Sequence, residues 1–125
     1  MHAFHLLGLV AAMLAASPSW AQDQSSKLHE SCEKLEASLV MKDGSVDFAK
    51  DFDTVFCWGF MSGVQSMVRY APGGVRALPF CPPDSTPLSQ YVKAYTAYGR
   101  RVPQDLKLPT PVSVLKALSQ AFPCR

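Results

Sequence analysis

Four cysteines, at positions 32, 57, 81 and 124, constrain the fold of this 125-residue chain more than any other feature. An even number of cysteines in an exported protein is most simply explained by two disulfides. The sequence between them has no paired Cys-x-x-Cys ligands of the kind that bind zinc. We therefore expect a small domain stabilised by two disulfides, with no metal site.

The amino terminus predicts export. An apolar run from Leu6 to Ala16 is followed by small residues that end at Ala21, which is typical of a signal peptide that is cleaved after that residue. The run is much shorter than the roughly 20 residues that a membrane-spanning helix needs. We expect a signal peptide over residues 1–21, a single domain over residues 22–125, and no membrane insertion after cleavage.

Hydrophobic spacing predicts two helices in the first half of the mature chain. Apolar residues at intervals of three and four predict a helix that spans Leu28 to Leu39. An Asp-Gly pair at positions 43–44 then predicts a turn, after which Ser45 or Asp47 is the candidate cap of a second helix from Phe48 to Tyr70. The wide apolar stripe of this second helix predicts that it is the central, most buried one. The stripe consists of Phe48, Phe52, Val55, Phe56, Gly59, Phe60, Gly63, Val64 and Met67.

Gly59 and Gly63 are four residues apart on the second helix and therefore share one face. Glycine in a helix interior costs about 1 kcal/mol relative to alanine, and close packing of a neighbouring helix would justify that cost. The alternative is that the two glycines tolerate a bend.

The second half of the chain predicts a proline-rich loop followed by two helices. The loop runs from Pro72 to Thr86 and includes Cys81, which ties it to the rest of the domain. Thr86-Pro87 and Thr110-Pro111 each place a capping hydroxyl before a proline, so we expect a helix to begin at each pair. The last helix should end before Pro123.

These elements predict an all-α fold, a small four-helix domain of two disulfide-linked helical hairpins, with no strand. In an antiparallel hairpin, residues that are equidistant from the turn face each other. The midpoint of Cys32 and Cys57 falls beside Gly44, and that of Cys81 and Cys124 falls at positions 102–103. Because both midpoints lie in predicted turns, we select these two pairs from the three possible connectivities.

The residues do not indicate catalysis. The mature chain has one histidine, His29, which the pattern places on the polar side of the first helix, and disulfides should consume all four thiols. Asp51 and Asp53 point away from each other on a helix and are expected to be solvated. The net charge of +2, well mixed along the chain, disfavours nucleic-acid binding. We expect a binding or structural protein that needs no cofactor.

Three segments together resemble a known family: positions 57–64 (CWGFMSGV), positions 80–83 (FCPP) and positions 108–124. They are similar to the Rap/Tai family of periplasmic immunity proteins, which accompany peptidoglycan amidase effectors of bacterial type VI secretion. The resemblance extends from Cys32 to the carboxyl terminus. It rests on cysteine, glycine and proline positions, which specify a fold more sharply than an activity.

The resemblance implies a disulfide-bonded helical protein of the periplasm, often dimeric and not an enzyme, that inhibits an amidase by occupying its substrate cleft. The structural positions carried over are Cys32, Cys57, Gly59, Gly63, Cys81 and Cys124. Exposed loops on a rigid scaffold enter a cleft with little ordering cost, so the loops supply the candidate contact residues. These are Gly73, Gly74 and Arg76 in the first loop and Arg100, Arg101 and Gln104 in the second; the alternative is that the arginines are ordinary solvated surface.

A second hypothesis is a small periplasmic chaperone or structural protein that resembles the acid-stress chaperones. Disulfide-bonded helices rich in aromatic residues fit this hypothesis as well. Such a chaperone would expose apolar surface on acidification, whereas an immunity protein would bind one cell-wall hydrolase tightly.

Overall fold

The computed structural model describes the backbone of residues 20–70 and 78–125, with side chains from residue 24 onward. These residues form four α-helices, a two-stranded sheet and one 3-10 helix. In chain order they are α1 (Trp20–Ser38), β1 (Val40–Lys42), β2 (Ser45–Asp47), α2 (Phe52–Tyr70), α3 (Leu88–Arg101), the 3-10 helix (Pro103–Lys107) and α4 (Thr110–Ala121). No helix in this part of the chain is both long and apolar enough to cross a bilayer. The predicted signal peptide falls almost wholly outside the described residues.

The antiparallel hairpin between α1 and α2 corrects the prediction of a fold without strands. The turn predicted at positions 43–44 is present, with φ of 50° at Asp43 and 76° at Gly44. Positive φ at both central residues suits a tight two-residue hairpin turn, because its twist matches that of the flanking strands. The turn pairs Val40 with Asp47 and Lys42 with Ser45. Strands of three residues are too short for alternation to be visible in the sequence.

Helix α2 begins at Phe52, later than predicted, because Asp51 forms its cap. The amide of Thr54 donates to the Asp51 carboxylate at 3.0 Å, and the amide of Asp51 donates to the Thr54 hydroxyl oxygen at 3.1 Å. This reciprocal pair satisfies two amides that the first turn of a helix leaves without partners. Ser45 and Asp47 lie in β2 and do not cap the helix.

The openings of α3 and α4 also differ from the predicted caps. Thr86 donates its hydroxyl to the carbonyl oxygen of Pro83 at 2.6 Å instead of capping α3, which starts at Leu88. Thr110 is the first residue of α4 and lies inside the helix. The Thr-Pro pairs therefore mark where these helices begin, although neither threonine caps one.

Two disulfides connect the described elements. Cys32 of α1 is bonded to Cys57 of α2, and Cys81 before α3 is bonded to Cys124 after α4. These are the pairs that the midpoint argument selects. The first disulfide is fully buried and joins two helices directly, whereas the second joins two non-helical segments outside α3 and α4.

Helix α3, and not α2, is the most buried helix. Seven residues of α3 are buried, against three of α2. This difference arises because α3 packs against α1, α2 and α4, whereas α2 packs against α1 and α3. The prediction that α2 is central was wrong: Phe52, Val55, Phe56 and Met67 of its apolar stripe are exposed.

The close helix contact predicted at Gly59 and Gly63 is found at Gly99 instead. Gly59 and Gly63 are exposed, and a Cβ atom added at either would meet nothing within 4 Å. At Gly99 of α3, an added Cβ would overlap the imidazole ring of His29. The sequence signal for this contact was available, because Gly99 continues the four-residue spacing of Tyr91 and Tyr95, two buried residues of α3.

His29 is buried and does not lie on a polar surface as predicted. The residue is 7% exposed, and its Nε2 donates to the carbonyl oxygen of Thr96 at 3.0 Å. Nearby, the fully buried Tyr95 donates its hydroxyl to the carbonyl oxygen of Ser25 at 3.0 Å. Every buried side-chain polar atom of the described residues has such a partner, so α1 and α3 are joined by hydrogen bonds as well as by packing.

Candidate partner-binding surfaces

Three of the six predicted contact residues lie in the part of the chain that the structure describes. Gly73, Gly74 and Arg76 lie outside the described residues. Arg100 and Arg101 lie in the last turn of α3 and not in a loop, and Gln104 lies in the 3-10 helix that follows. Lys107 of the same 3-10 helix is exposed as well. We call the exposed residues of this connection the α3–α4 connection surface: Arg100, Arg101, Gln104 and Lys107.

The backbone beneath this surface is held by Asp105. Tyr98 of α3 donates its hydroxyl to the Asp105 carboxylate, and Lys116 of α4 lies 2.6 Å from the same oxygen. The hydrogen bonds from Lys116 and Tyr98 lower the pKa of Asp105, so its carboxylate stays charged at neutral pH. Asp105 thereby links the 3-10 helix to the helices on both sides of it.

Helix α1 anchors the same backbone from a third side. Ser25 donates its hydroxyl to the carbonyl oxygen of Leu108 at 2.6 Å, and Ser26 donates to that of Leu106 at 3.4 Å. Hydrogen bonds from three helices therefore converge on six consecutive positions, 103–108. Because this segment is already ordered in the free protein, it loses less conformational entropy when a partner binds.

The two arginines of the connection surface are directed by neighbours on other helices. Arg100 contacts Glu33 and Glu36 of α1, each at 3.4 Å. Arg101 donates to Gln120 of α4 at 2.6 Å, and its guanidinium carbon lies 5.7 Å from the centre of the Tyr98 ring. Both side chains are held while their outer sides remain accessible.

The carboxylates that the sequence singled out are structural. Asp51 caps α2, and Asp53 is 16% exposed between Lys34 at 2.5 Å and Lys27 at 2.9 Å of α1. Hydrogen bonds from Lys34, Lys27 and Ser31 hold the pKa of Asp53 well below its usual range. The expectation that Asp53 is solvated was wrong, because the cations of α1 lie over the first turn of α2.

A second exposed surface is apolar and lies on α2. Its large side chains are 39% to 79% exposed, and the two glycines lie between them. We call this surface the α2 outer face, and it consists of Phe52, Val55, Phe56, Gly59, Gly63, Met67 and Tyr70. All of these residues except Tyr70 belong to the apolar stripe predicted from the sequence, but the prediction that the stripe lies in the core was wrong for them.

The fold defines a structural class: small helical proteins linked by two disulfides. Within that class the chain belongs to the Rap1a immunity proteins, because the model of this family matches residues 24–124. No curated protein and no solved structure matches the chain. The family match confirms the resemblance found in the sequence.

Family membership has two direct consequences. An immunity protein binds an effector protein, so the partner of this chain is a protein. The two disulfides, together with the family, indicate a secreted or periplasmic protein.

Proposed function

We propose that this chain is a periplasmic immunity protein that binds and inhibits a peptidoglycan amidase effector of type VI secretion, and that it has no enzymatic activity of its own. The family match, the disulfides and the secretory pattern of residues 1–21 support this proposal. The family favours this function over that of a small chaperone.

The observation that carries the proposal is the anchoring of the α3–α4 connection surface. An inhibitor that fills a substrate cleft needs an exposed segment that does not lose much entropy on binding. The connection meets that need, since Asp105, Ser25 and Ser26 fix its backbone while Gln104 stays exposed. We propose that Arg101 and Gln104 contact the amidase. Gly73, Gly74 and Arg76 remain predicted contacts.

The protein has a second partner in this proposal, a further copy of the same chain. In this proposal the amidase binds at the α3–α4 connection surface and the second copy binds at α2. These surfaces belong to separate parts of the domain, since α2 contacts neither the 3-10 helix nor α4 in the described structure. A dimer formed through α2 would leave both connection surfaces free for amidase molecules.

The proposal predicts that a secreted amidase is encoded beside the gene of this protein, and the experiment uses that amidase and the purified mature protein. Calorimetry gives the dissociation constant, and release of peptide from purified peptidoglycan gives inhibition. We expect tight binding and loss of amidase activity. The double variant Arg101→Glu, Gln104→Glu should weaken binding by roughly 30-fold or more, as for residues that dominate an interface.

Lys93→Glu is the matched control, because Lys93 is exposed on the same helix two turns before Arg101. It reverses a charge without touching the connection surface and should bind as the native protein does. Equal loss in both variants would show a general charge effect and contradict the proposed surface. An amidase that remains active with excess native protein would contradict the proposed function.

A further inference from the structure

A small cleft lies between the end of α2 and the segment that leads into α3. It is lined by the last two turns of α2, by Tyr91 of α3 and by residues 82–86, and its volume is about 270 Å³. Ligand pockets commonly measure about 300–1,000 Å³, so this cleft suits a small ligand. Of the described residues that line it, none belongs to the α3–α4 connection surface or to the α2 outer face.

The walls of this cleft are held together by hydrogen bonds and by a disulfide. Gln65 of α2 donates its side-chain amide to the carbonyl oxygen of Thr86 at 3.0 Å. The backbone amide of Thr86 donates to the carbonyl oxygen of Pro83 at 3.2 Å and closes a tight turn. Just before this turn, Cys81 is bonded to Cys124. A cleft whose walls are already fixed loses little entropy when a ligand binds.

Tyr91 differs from the other two buried tyrosines of α3. The hydroxyls of Tyr95 and Tyr98 have partners in the domain, whereas that of Tyr91 bonds to none of the described residues. Tyr91 is 2% exposed, and every fully enclosed polar side-chain atom in the described ranges has a partner. The small exposed part of Tyr91 therefore includes its hydroxyl, which faces the cleft. Buried tyrosine hydroxyls usually find a partner, and a ligand in the cleft would supply one.

Arg69 brings a positive charge to the same cleft. It is exposed at the end of α2 and forms no ion pair with any carboxylate that the structure describes. Burial raises the pKa of Tyr91 and the charge of Arg69 lowers it, so the guanidinium and the phenol are close enough to interact. The phenol stays protonated at neutral pH, and both groups donate hydrogen bonds. A carboxylate accepts from both, with a bidentate bond to the guanidinium.

Asp84 adds a negative charge to the lining of the cleft. It is exposed in the turn before α3 and forms no ion pair within residues 24–70 and 78–125. Arg69 and Asp84 therefore line one small cleft without bonding to each other. A ligand that carries both a carboxylate and an ammonium group is attracted by both residues, whereas a simple anion is attracted by Arg69 and repelled by Asp84.

We propose that this cleft binds a small zwitterion, a free amino acid or a dipeptide, whose carboxylate accepts hydrogen bonds from Arg69 and Tyr91 and whose ammonium group contacts Asp84. Free amino acids and dipeptides are two sources of the same chemistry, and they differ in the distance between their two charges. The cleft is separate from the surfaces assigned to the amidase and to the second copy, so this proposal and the proposed function can fail separately.

Calorimetric titration of the purified mature protein with free alanine and with alanylalanine is the first test. We expect at least one of them to bind with a dissociation constant below about 1 mM, and the tighter ligand identifies the source. N-acetylation of that ligand, or amidation of its carboxylate, should each weaken binding by about 10-fold or more, since each removes one charge. Binding that survives both changes, or no binding of either zwitterion at about 10 mM, would overturn the proposal.

Variants of the two charged residues test the orientation of the ligand. Arg69→Gln should raise the dissociation constant of the zwitterion by about 10-fold or more, as for hydrogen bonds to charged groups. Asp84→Asn should weaken binding of the zwitterion but not of acetate, which has no ammonium group. Lys93→Gln is the matched control, because Lys93 is an exposed cation two residues after Tyr91 and lies on another face of α3. A variant of Arg69 that binds as tightly as this control would contradict the site.

Two tyrosine variants distinguish binding from folding. Tyr91→Phe should weaken binding by about 5-fold or more and leave the midpoint of urea unfolding unchanged, because its hydroxyl bonds to no described residue. Tyr95→Phe should lower that midpoint and leave ligand binding unchanged, because its hydroxyl donates to Ser25. If Tyr91→Phe lowers the midpoint as much as Tyr95→Phe does and binds the ligand normally, then the Tyr91 hydroxyl is structural and the proposal is wrong.

Inhibition of the amidase by Arg69→Gln separates this proposal from the proposed function. We expect this variant to inhibit as the native protein does, with or without saturating zwitterion. A native protein that inhibits the amidase but binds no zwitterion would overturn the cleft proposal alone. A native protein that binds the zwitterion but does not inhibit the amidase would overturn the proposed function alone.

Discussion

Helices α2 and α3 both contain glycine and aromatic residues at helical spacing, yet these residues have opposite environments. Gly99 of α3 lies against the His29 ring, and Tyr95 is fully buried with its hydroxyl bonded to Ser25. Gly59 of α2 has open space above it, and Phe52 is 79% exposed. The same residue types therefore join helices within the domain in one case and form an outer surface in the other.

The difference arises from the groups that neighbouring helices place opposite each face. Tyr95 and Tyr98 of α3 have polar partners on other elements, so a ring can be buried while its hydroxyl stays hydrogen-bonded. On its outer side α2 has hydrocarbon rings and no described helix opposite. Apolar spacing alone predicts that a face avoids water, but it does not identify whether the covering surface belongs to the same chain.

The largest expected effect concerns Gly99. Gly99→Ala places a methyl group into the His29 ring and should lower the free energy of unfolding by about 2–3 kcal/mol, as overpacking of a tight contact does. Urea denaturation followed by circular dichroism measures it. The double variant with His29→Ala lacks the imidazole ring that the methyl group would meet. Its loss of unfolding free energy should therefore be smaller than the sum of the losses of the two single variants by about 1 kcal/mol or more. Additive losses would contradict the contact.

The next effect concerns the hydrogen bond of Tyr95. Tyr95→Phe removes the hydroxyl that donates to the carbonyl oxygen of Ser25. Because that oxygen then lacks this donor, the free energy of unfolding should fall by about 1–2 kcal/mol. Tyr70→Phe is the control, because the Tyr70 side chain is 76% exposed, and its change in the monomer should be below about 0.5 kcal/mol. Equal effects would show that burial does not distinguish α3 from α2.

A smaller effect of opposite sign is expected at the exposed glycines. Gly59→Ala or Gly63→Ala adds a methyl group in open space and should stabilise the monomer by about 0.5–1 kcal/mol, since alanine restricts the unfolded chain and favours the helix. Thermal unfolding at submicromolar concentration measures the monomer alone. A loss of stability there would mean that something within the monomer covers the face.

The smallest effect concerns Asp53, which joins the start of α2 to α1. Its pKa is lowered in the folded state from 3.8 by hydrogen bonds from Lys34 and Lys27. As pH falls below about 4, the unfolded chain takes up this proton before the folded one, so stability declines with acidification. Asp53→Asn should make stability less dependent on pH in that range. An unchanged pH dependence in acid titrations of unfolding would contradict the role of these pairs.

The elements predicted best from the sequence are those for which a covalent or backbone requirement left few choices. Each Thr-Pro pair marks the beginning of a helix, and the pair at positions 43–44 marks a turn because Gly44 accepts a positive φ. The end of the loop before α2 was misplaced, since the capping pair of Asp51 and Thr54 was overlooked.

The candidate site was predicted less completely, for a physical reason. Arg101 and Gln104 could be selected as polar residues near a turn, but their anchoring depends on Ser25 and Ser26, which are about 80 positions earlier in the chain. The α2 outer face was recognised as apolar and assigned to the core, because hydrophobic spacing does not distinguish an inner face from an outer one.

The hairpin turn at positions 42–45 is exposed and lies between the two halves of the Cys32–Cys57 disulfide. Exposed turns of this kind are where proteases cut folded proteins. A cut after Lys42 would sever the backbone between α1 and α2, yet the fragments would migrate as a single species on a gel until a reductant was added. The protein can therefore be cut at this turn and still remain one covalently linked molecule.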